Sequence, residues 1–213
     1  MGEQKITAVI PALNEEETIL DVLRGVKPYV DEIIVVDDGS IDRTAQIAQA
    51  EKVTVLSNGR NIGYERSIDR GFKLAAQNGA TVLITFDGDG QHNPEDIPRI
   101  VEPILRGESD IVVGARSHYP RIMEHLFAII AKKKANIKDP LCGLKGYHVK
   151  VYKDIGCFDT NLSIGVEFIF SAKKKGYKIL QRDVSINERK DVSRFGRSIE
   201  ANWKILKAIV KTL

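Results

Sequence analysis

The chain has 213 residues, of which 43% are apolar and 29% charged, and its formal net charge is only +3. This composition is typical of one globular domain with one core, so we expect residues 1–213 to fold as a single domain. The small net charge argues against a strongly basic nucleic-acid-binding protein, and we expect no nucleic-acid partner. The longest apolar run after residue 100, 126–131, is far shorter than the ~20 residues of a membrane-spanning helix.

Cysteine use and the N-terminus predict the compartment. Cys142 and Cys157 are the only cysteines, and the first twelve residues lack the basic start and the apolar segment of a secretory signal. We therefore expect a cytoplasmic protein with free thiols.

The first half alternates between short β-branched runs and helical patterns. Strands that are apolar on both faces, as buried parallel strands are, are predicted over 5–12, 32–38, 53–58, 81–87 and 110–116. Helices are predicted over 15–25, 43–51 and 65–78. Asn14 is expected to cap the first helix, and Ser40 or Asp42 the second. This βαβα order predicts a Rossmann-like α/β fold, with a mostly parallel sheet and helices on both faces.

The second half is less regular. Residues 121–135 and 199–213 each predict an amphipathic helix with one apolar and one basic face. Between them, 166–179 predicts a helix that ends at Gly176 and is followed by a strand. Each amphipathic helix could pack on the core or lie in a membrane interface, where lysines 132–134 would meet anionic lipid.

Polar residues follow four of the predicted strands where each strand ends. Ligands of open α/β sheets bind outside the carboxyl ends of the strands, so we expect these residues to line one rim. In chain order they are Asn14 and Glu15, Asp37 to Ser40, Asn58 to Asn61, and Asp87 to Asp89.

Asp87 and Asp89 are two carboxylates separated by one glycine. They begin like an EF-hand calcium loop, but His92 and Pro98 stand where that loop needs glycine and glutamate, which excludes it. Magnesium or manganese fits better, because such an ion takes one or two carboxylates and completes its coordination with phosphates and water. Gly88 permits a turn that brings both carboxylates to one ion. The alternative is that both aspartates are ordinary turn residues at a strand end.

Asp37 and Asp38, followed by Gly39, suit hydrogen bonds to the base and ribose of a nucleotide. The alternative is a turn that begins the next helix. The chain has neither the glycine motif of a dinucleotide fold after its first strand nor a P-loop. We therefore expect a metal ion to neutralise the nucleotide phosphates.

Five motifs follow one another in the first half. They are VIPALNEE (9–16), VVDDGSIDRT (35–44), RNIGYERSIDRG (60–71), FDGDGQHNPEDIP (86–98) and VVGAR (112–116). Together they resemble family 2 glycosyltransferases with the GT-A fold, in particular dolichol-phosphate mannose synthase and bacterial polyprenyl-phosphate glycosyltransferases. A looser match, KDPLCGLKGYHV (138–149), departs from the family pattern with Cys142 in place of serine and Lys145 in place of arginine. Residues 64–67 stand in place of the family's small residues.

The resemblance implies an inverting, metal-dependent hexosyltransferase that takes a sugar from GDP-mannose or a UDP-sugar. Residues 1–116 would bind this donor, and Asp87, Asp89 and Gln91 would hold Mg²⁺ or Mn²⁺ against its diphosphate. The residues implied to contact the nucleotide sugar are Pro11, Leu13, Asn14, Glu15, Asp37, Asp38, Gly39, Asn61, Asp87 and Gly88.

Residues 117–213 would bind the acceptor, a polyprenyl or dolichyl phosphate. Such a phosphate needs cations rather than a general base, because its second pKa near ~6 leaves it largely ionised. The implied acceptor residues are Arg116, Lys145, Glu167, Arg194, Arg197 and Ser198. Arg116 would act with Asp89 in catalysis, and Asp139 would be the base if a hydroxyl acceptor required one. A lipid acceptor also implies contact with the cytoplasmic membrane face or with a membrane partner subunit.

Three other functions remain open from the residues. One is a soluble family 2 transferase that glycosylates a hydroxyl of a glycan or protein. Another is a sugar nucleotidyltransferase, although that class would need a glycine-rich loop where this chain has PALNEE. The third is a catalytically silent nucleotide-binding module.

Overall fold

A seven-stranded β-sheet forms the centre of the protein in the computed structural model. The structure describes residues 4–117, 128–129, 132, 136–158 and 164–187. The strands are β1 (Ile6–Ala12), β2 (Glu32–Asp37), β3 (Thr54–Ser57), β4 (Val82–Thr85), β5 (Ile111–Ala115), β6 (Lys145–His148) and β7 (Ile179–Asp183). Their order across the sheet is β3-β2-β1-β4-β6-β5-β7, and all neighbours are parallel except β6, which is antiparallel to β4 and β5. The mostly parallel sheet predicted from the sequence is confirmed.

Helices cover both faces of this sheet, as predicted. Those with both ends among the described residues are α1 (Ile19–Val26), α2 (Thr44–Ala50), α3 (Tyr64–Gln77), α4 (Ile97–Leu105), α5 (Val149–Ile155) and α6 (Val166–Lys174). Side chains of α1, α2 and α4 pack on one face, and those of α3, α5 and α6 pack on the other. In β1, Ala8 and Ile10 lie on the face covered by α1, α2 and α4, and Val9 lies on the face covered by α3, α5 and α6. The reason is that successive strand side chains point to opposite faces.

The start of α1 differs from the prediction. Asn14 has a φ of 54°, and its Oδ1 accepts a hydrogen bond from the Ile41 backbone N–H at 2.8 Å. The helix predicted over 15–25 therefore begins only at Ile19, and its predicted cap is wrong because the Asn14 side chain bonds to the loop after β2. At α2, Asp42 Oδ1 accepts the first backbone N–H of the helix at 3.0 Å, which confirms one of the two predicted caps.

Three elements were not singled out by sequence pattern. β6 has four residues, KGYH, with a glycine and no β-branched side chain. The helix α4 contains Pro103, and α5 has only seven residues. Their formation is favoured by packing against the sheet, which a local pattern does not display.

Several predictions fall on residues that the structure does not describe. They include the 199–213 helix, the 121–135 helix except 128–129 and 132, and the residues Arg194, Arg197 and Ser198. The division of the chain into domains also stays a prediction. Within the described ranges, no helix combines the length and apolar character needed to cross a lipid bilayer.

Candidate active site

The loops after β1, β2, β3 and β4 meet at one edge of the sheet. Asn14, after β1, reaches the loop after β2 as described above. Asn58 Nδ2, after β3, donates to Asp38 Oδ1, after β2, at 2.8 Å. Thr18 Oγ1, before α1, donates to the Gly88 carbonyl, after β4, at 2.8 Å. The structure therefore brings together the polar loops predicted to line one rim.

Asp38 organises the loop that follows β3. Its Oδ1 accepts from Asn58 Nδ2 and from the Ile62 N–H, both at 2.8 Å, and its Oδ2 accepts from the Gly63 N–H at 3.0 Å. Asp37 is similarly buried, and its Oδ1 accepts a backbone N–H of the loop after β2 at 3.1 Å. Both carboxylates hold the loops around the rim, and their contacts with a nucleotide stay predictions.

The other residues predicted for the nucleotide sugar lie on the same edge. Pro11 is the second-last residue of β1, and Leu13 and Glu15 lie in the loop after this strand. Glu15 is buried, whereas Leu13 is partly exposed. At Gly39, an added Cβ would come within 2.5 Å of the backbone of the loop after β3. Asn61 in that loop is exposed.

Asp87 and Asp89 lie in the turn that follows β4. Gly90, at the end of this turn, has a φ of 73°, in the left-handed region that glycine adopts readily. Asp89 Oδ1 accepts the Gln91 backbone N–H at 3.1 Å, which tightens the turn. The chain turns at Gly88 and Asp89, directly after Asp87, where the sequence predicts a turn.

Two neighbouring side chains orient the Asp87 carboxylate. Tyr64 donates its hydroxyl hydrogen to Oδ1 at 3.2 Å, and His92 Nε2 lies 3.4 Å from Oδ2. Burial opposes ionisation of Asp87, but the hydrogen bond and charge of His92, the charge of Lys145 and the Tyr64 hydrogen bond hold its pKa below the usual range. Asp87 is therefore an ionised hydrogen-bond acceptor at neutral pH.

The oxygen donors of this turn suit a hard divalent cation that is held by few protein ligands. In the part of the chain that the structure describes, no three His, Cys, Asp or Glu side chains form a complete metal cage. Mg²⁺ at nucleotide sites takes one or two carboxylates and keeps its other positions for phosphates and water. Asp87, Asp89 and Gln91 fit such an open site by their chemistry.

Gly143 lies against Asp87. A Cβ at this position would stand 1.9 Å from Asp87 Oδ2 and 2.5 Å from its Cγ, so no other residue fits without moving the carboxylate. Thr85 Oγ1 fixes this approach by donating to the Gly143 carbonyl at 2.6 Å. The backbone of residue 143 thus forms one wall of the acidic turn.

Replacing Gly143 with alanine should displace Asp87 and lower any activity that depends on it by about tenfold or more. The overpacking should also lower the free energy of unfolding by about 1–3 kcal/mol. Denaturant unfolding and Mn²⁺ titration calorimetry would measure the two effects. Gly107→Ala is a matched control. Gly107 has a φ of 71°, and an added Cβ would meet no atom within 4 Å, so alanine there strains the backbone without approaching Asp87. Equal Mn²⁺ binding by both variants would contradict the prediction.

Arg116, directly after β5, forms a bidentate ion pair with Asp139. Arg116 Nε lies 2.7 Å from Oδ2 and Nη2 lies 2.9 Å from Oδ1, and the Arg116 backbone N–H also donates to Oδ2 at 3.1 Å. Asp139 is only 1% exposed. A buried carboxylate that accepts three hydrogen bonds from one arginine is better suited to holding that arginine than to serving as a general base.

Lys145 and Glu167, both predicted on the acceptor side, lie in different settings. Glu167 is partly exposed in the first turn of α6. Lys145 is 1% exposed, and its Nζ donates to the Ile164 carbonyl at 2.8 Å. The prediction that Lys145 meets an acceptor phosphate therefore differs from its observed position, where burial removes the ammonium from solvent.

The sequence did not identify Tyr64, His92, Thr18 or Gly143 as site residues. His92 belongs to the FDGDGQHNPE motif, and Tyr64 departs from the small residues of the family, so each carried a signal. Their contacts with the acidic turn depend on the folded backbone.

The sequence is similar to several known proteins. The family model described as "Glycosyl transferase family 2" matches residues 7–156. An uncharacterized protein of Methanocaldococcus jannaschii is 30% identical, over 97% of this chain and 91% of its own length. UDP-N-acetylglucosamine–dolichyl-phosphate N-acetylglucosaminyltransferase of Methanococcus voltae is 32% identical, and the match covers 64% of this chain and 61% of that enzyme.

The fold is also found among solved structures. Glucosyl-3-phosphoglycerate synthase from Mycobacterium tuberculosis, in complex with Mn²⁺, UDP and glucosyl-3-phosphoglycerate, superposes with a TM-score of 0.80. The match covers 98% of this chain and 80% of the synthase at 20% sequence identity. This likeness confirms the GT-A fold predicted from the sequence.

Proposed function

Because this chain belongs to glycosyl transferase family 2, we propose that it transfers a sugar from a nucleoside-diphosphate sugar to a polyprenyl phosphate. The observation that carries the proposal is the placement of opposite charges at one edge of the sheet. Asp87 and Asp89 follow β4, Arg116 follows β5, and only β6 lies between these strands. A donor bound through a cation and an anionic acceptor would require this arrangement.

A cavity that runs along β7 and reaches Ala115 at the end of β5 supports an anionic acceptor. It has a volume of about 450 Å³, and Lys138, Lys173 and Arg182 line it together with one acidic residue, Asp183. Arginine and lysine side chains are the usual protein ligands of phosphate groups. The dolichyl phosphate in the name of the Methanococcus voltae relative supports the same class of acceptor.

On the donor side, Asp87, Asp89 and Gln91 would hold Mg²⁺ or Mn²⁺. When bound, such a cation supplies Lewis-acid stabilisation of the departing nucleoside diphosphate. Tyr64 and His92 orient the Asp87 carboxylate at the contacts described above. The turn is thereby held in one geometry before the donor arrives.

On the acceptor side, Arg116 binds the phosphate and Asp139 holds the guanidinium in place. The phosphate is its own nucleophile, because its second pKa near ~6 leaves an oxygen ionised without a general base. This oxygen attacks the anomeric carbon from the face opposite the diphosphate. The new carbon–oxygen bond forms as the bond to the diphosphate breaks, and the configuration inverts. A lipid acceptor would bring the protein to the cytoplasmic face of a membrane.

Purified protein should transfer radiolabelled sugar into an organic-soluble product when it receives a nucleotide sugar, Mn²⁺ or Mg²⁺, and vesicles that contain undecaprenyl phosphate. Thermal-shift screening of UDP and GDP with each metal would select the donor, and EDTA should abolish transfer.

Two outcomes would contradict the proposal. Label in a soluble glycan or protein, with none in lipid, would indicate a family 2 transferase with a hydroxyl acceptor. Nucleotide binding without transfer or donor hydrolysis would indicate a silent nucleotide-binding module.

A further inference from the structure

Lys145 stands between the donor and acceptor sides of the sheet edge. It is the first residue of β6, and it pairs with Thr85 of β4 on one side and with Val113 of β5 on the other. Because β6 is antiparallel, its first residue lies at the edge where β4 and β5 end. Burial lowers the pKa of Lys145, while the negative charges of Asp139 and Asp87 act in the opposite direction.

The Lys145 ammonium holds a turn with an unusual backbone conformation. Its Nζ donates to the Ile164 carbonyl at 2.8 Å, and the Ile164 N–H donates to Glu65 Oε1 at 3.1 Å. Ile164 has a φ of 55°, which a β-branched residue rarely adopts. Such a conformation persists only where surrounding contacts fix it, and here both backbone polar groups of the residue are bonded by side chains from other elements.

This clamp, which consists of Lys145, Glu65 and Ile164, joins three elements of the site. Glu65 is 6% exposed in the first turn of α3, next to Tyr64, which donates to Asp87. Ile164 immediately precedes Gly165, the residue before α6. The clamp therefore links the start of β6, the donor-side end of α3 and the beginning of α6.

Resting on the proposed function, we propose that Lys145 is a positioning residue that fixes α6 and its Glu167 against the donor site. It is not a ligand of the acceptor phosphate, because the residue is 1% exposed and its ammonium donates to a backbone carbonyl. The clamp fixes where the acceptor side lies relative to Asp87. Loss of the clamp should loosen the first turn of α6 before it affects the rest of the fold.

Hydrogen exchange of the unliganded protein tests the clamp directly. Lys145→Met should speed exchange in peptides over 166–174 by about tenfold, with peptides over 19–26 unchanged, because only local opening becomes easier. Lys145→Arg, which keeps a cationic donor, should restore the slow exchange. Lys153→Met is the matched control, since this lysine is exposed on α5. Glu65→Ala should also speed exchange over 166–174, because it removes the other bond to Ile164.

The kinetic test separates positioning from phosphate binding. Lys145→Met should lower kcat about tenfold while the KM values for donor and acceptor change by less than about threefold, and Lys145→Arg should recover kcat. A raised acceptor KM with unchanged exchange would assign Lys145 to phosphate binding and overturn the inference. Faster exchange throughout the chain would also overturn it, because it would indicate a purely structural lysine. If the unsubstituted protein transfers no sugar, the proposed function fails, whereas the exchange experiment still decides the clamp.

Discussion

Replacement of Asp89 by alanine should lower kcat for sugar transfer about 100-fold or more and leave the fold intact. The change removes one of the two carboxylates proposed to hold the divalent cation. Lewis-acid stabilisation of a leaving group is worth several kcal/mol, and each ~1.4 kcal/mol corresponds to a tenfold change in rate. Asp89 is partly exposed in a turn, so its truncation should change the melting temperature little.

Two measurements would check this result. Transfer kinetics at saturating donor would give kcat, and titration calorimetry with Mn²⁺ would give metal affinity without reference to activity. Glu108→Ala is the control, because this exposed carboxylate precedes β5 at the opposite edge of the sheet. Full activity and unchanged Mn²⁺ binding in Asp89→Ala would refute the metal site.

Replacement of Arg116 by methionine should both abolish transfer and destabilise the protein by about 3 kcal/mol or more. The carboxylate of Asp139 is buried, and the loss of its bidentate partner would leave that charge unpaired. Denaturant unfolding would measure the loss as a lower midpoint with an unchanged slope.

A second substitution would separate the structural role of the pair from its proposed catalytic role. Arg116→Met combined with Asp139→Leu should recover most of the stability, because replacing both partners of a buried pair by apolar residues is often neutral. Activity should stay lost, because the acceptor phosphate would still lack its arginine. A double variant that regains transfer would show that Arg116 is only a structural residue.

Four strands of the first half could be predicted because each is a mostly apolar run with buried residues on both faces; β3, at the edge of the sheet, is more exposed and was found from its Val55 and Leu56. The strand predicted over 110–116 corresponds to β5 (Ile111–Ala115). The other four predicted strands begin and end within two residues of β1 to β4. β6 could not be found in this way, because its four residues form a strand only where β4 and β5 leave a gap between them. A local pattern does not contain that information.

In the candidate site, too, residues recognisable from a local motif could be predicted, whereas contacts between residues distant in the sequence could not. Motif resemblance identified Asp87 and Asp89, since their type and spacing are visible along the chain. It did not show that Lys145 would be buried, because its partner, the Ile164 carbonyl, is determined by the packing of α6. Asn14 was assigned to a helix cap for a similar reason, as its bond to the loop after β2 spans 27 positions in the sequence.

The antiparallel strand β6 also affects the order in which the protein can assemble during synthesis. The strands β1 to β4 pair with one another in parallel, and only the outer edge of β4 is completed by a later strand, β6. In contrast, β5 pairs with β6 and β7, both of which leave the ribosome after it. We therefore expect β1 to β4 to pair first, while β5 remains unpaired until residues 145–183 have emerged.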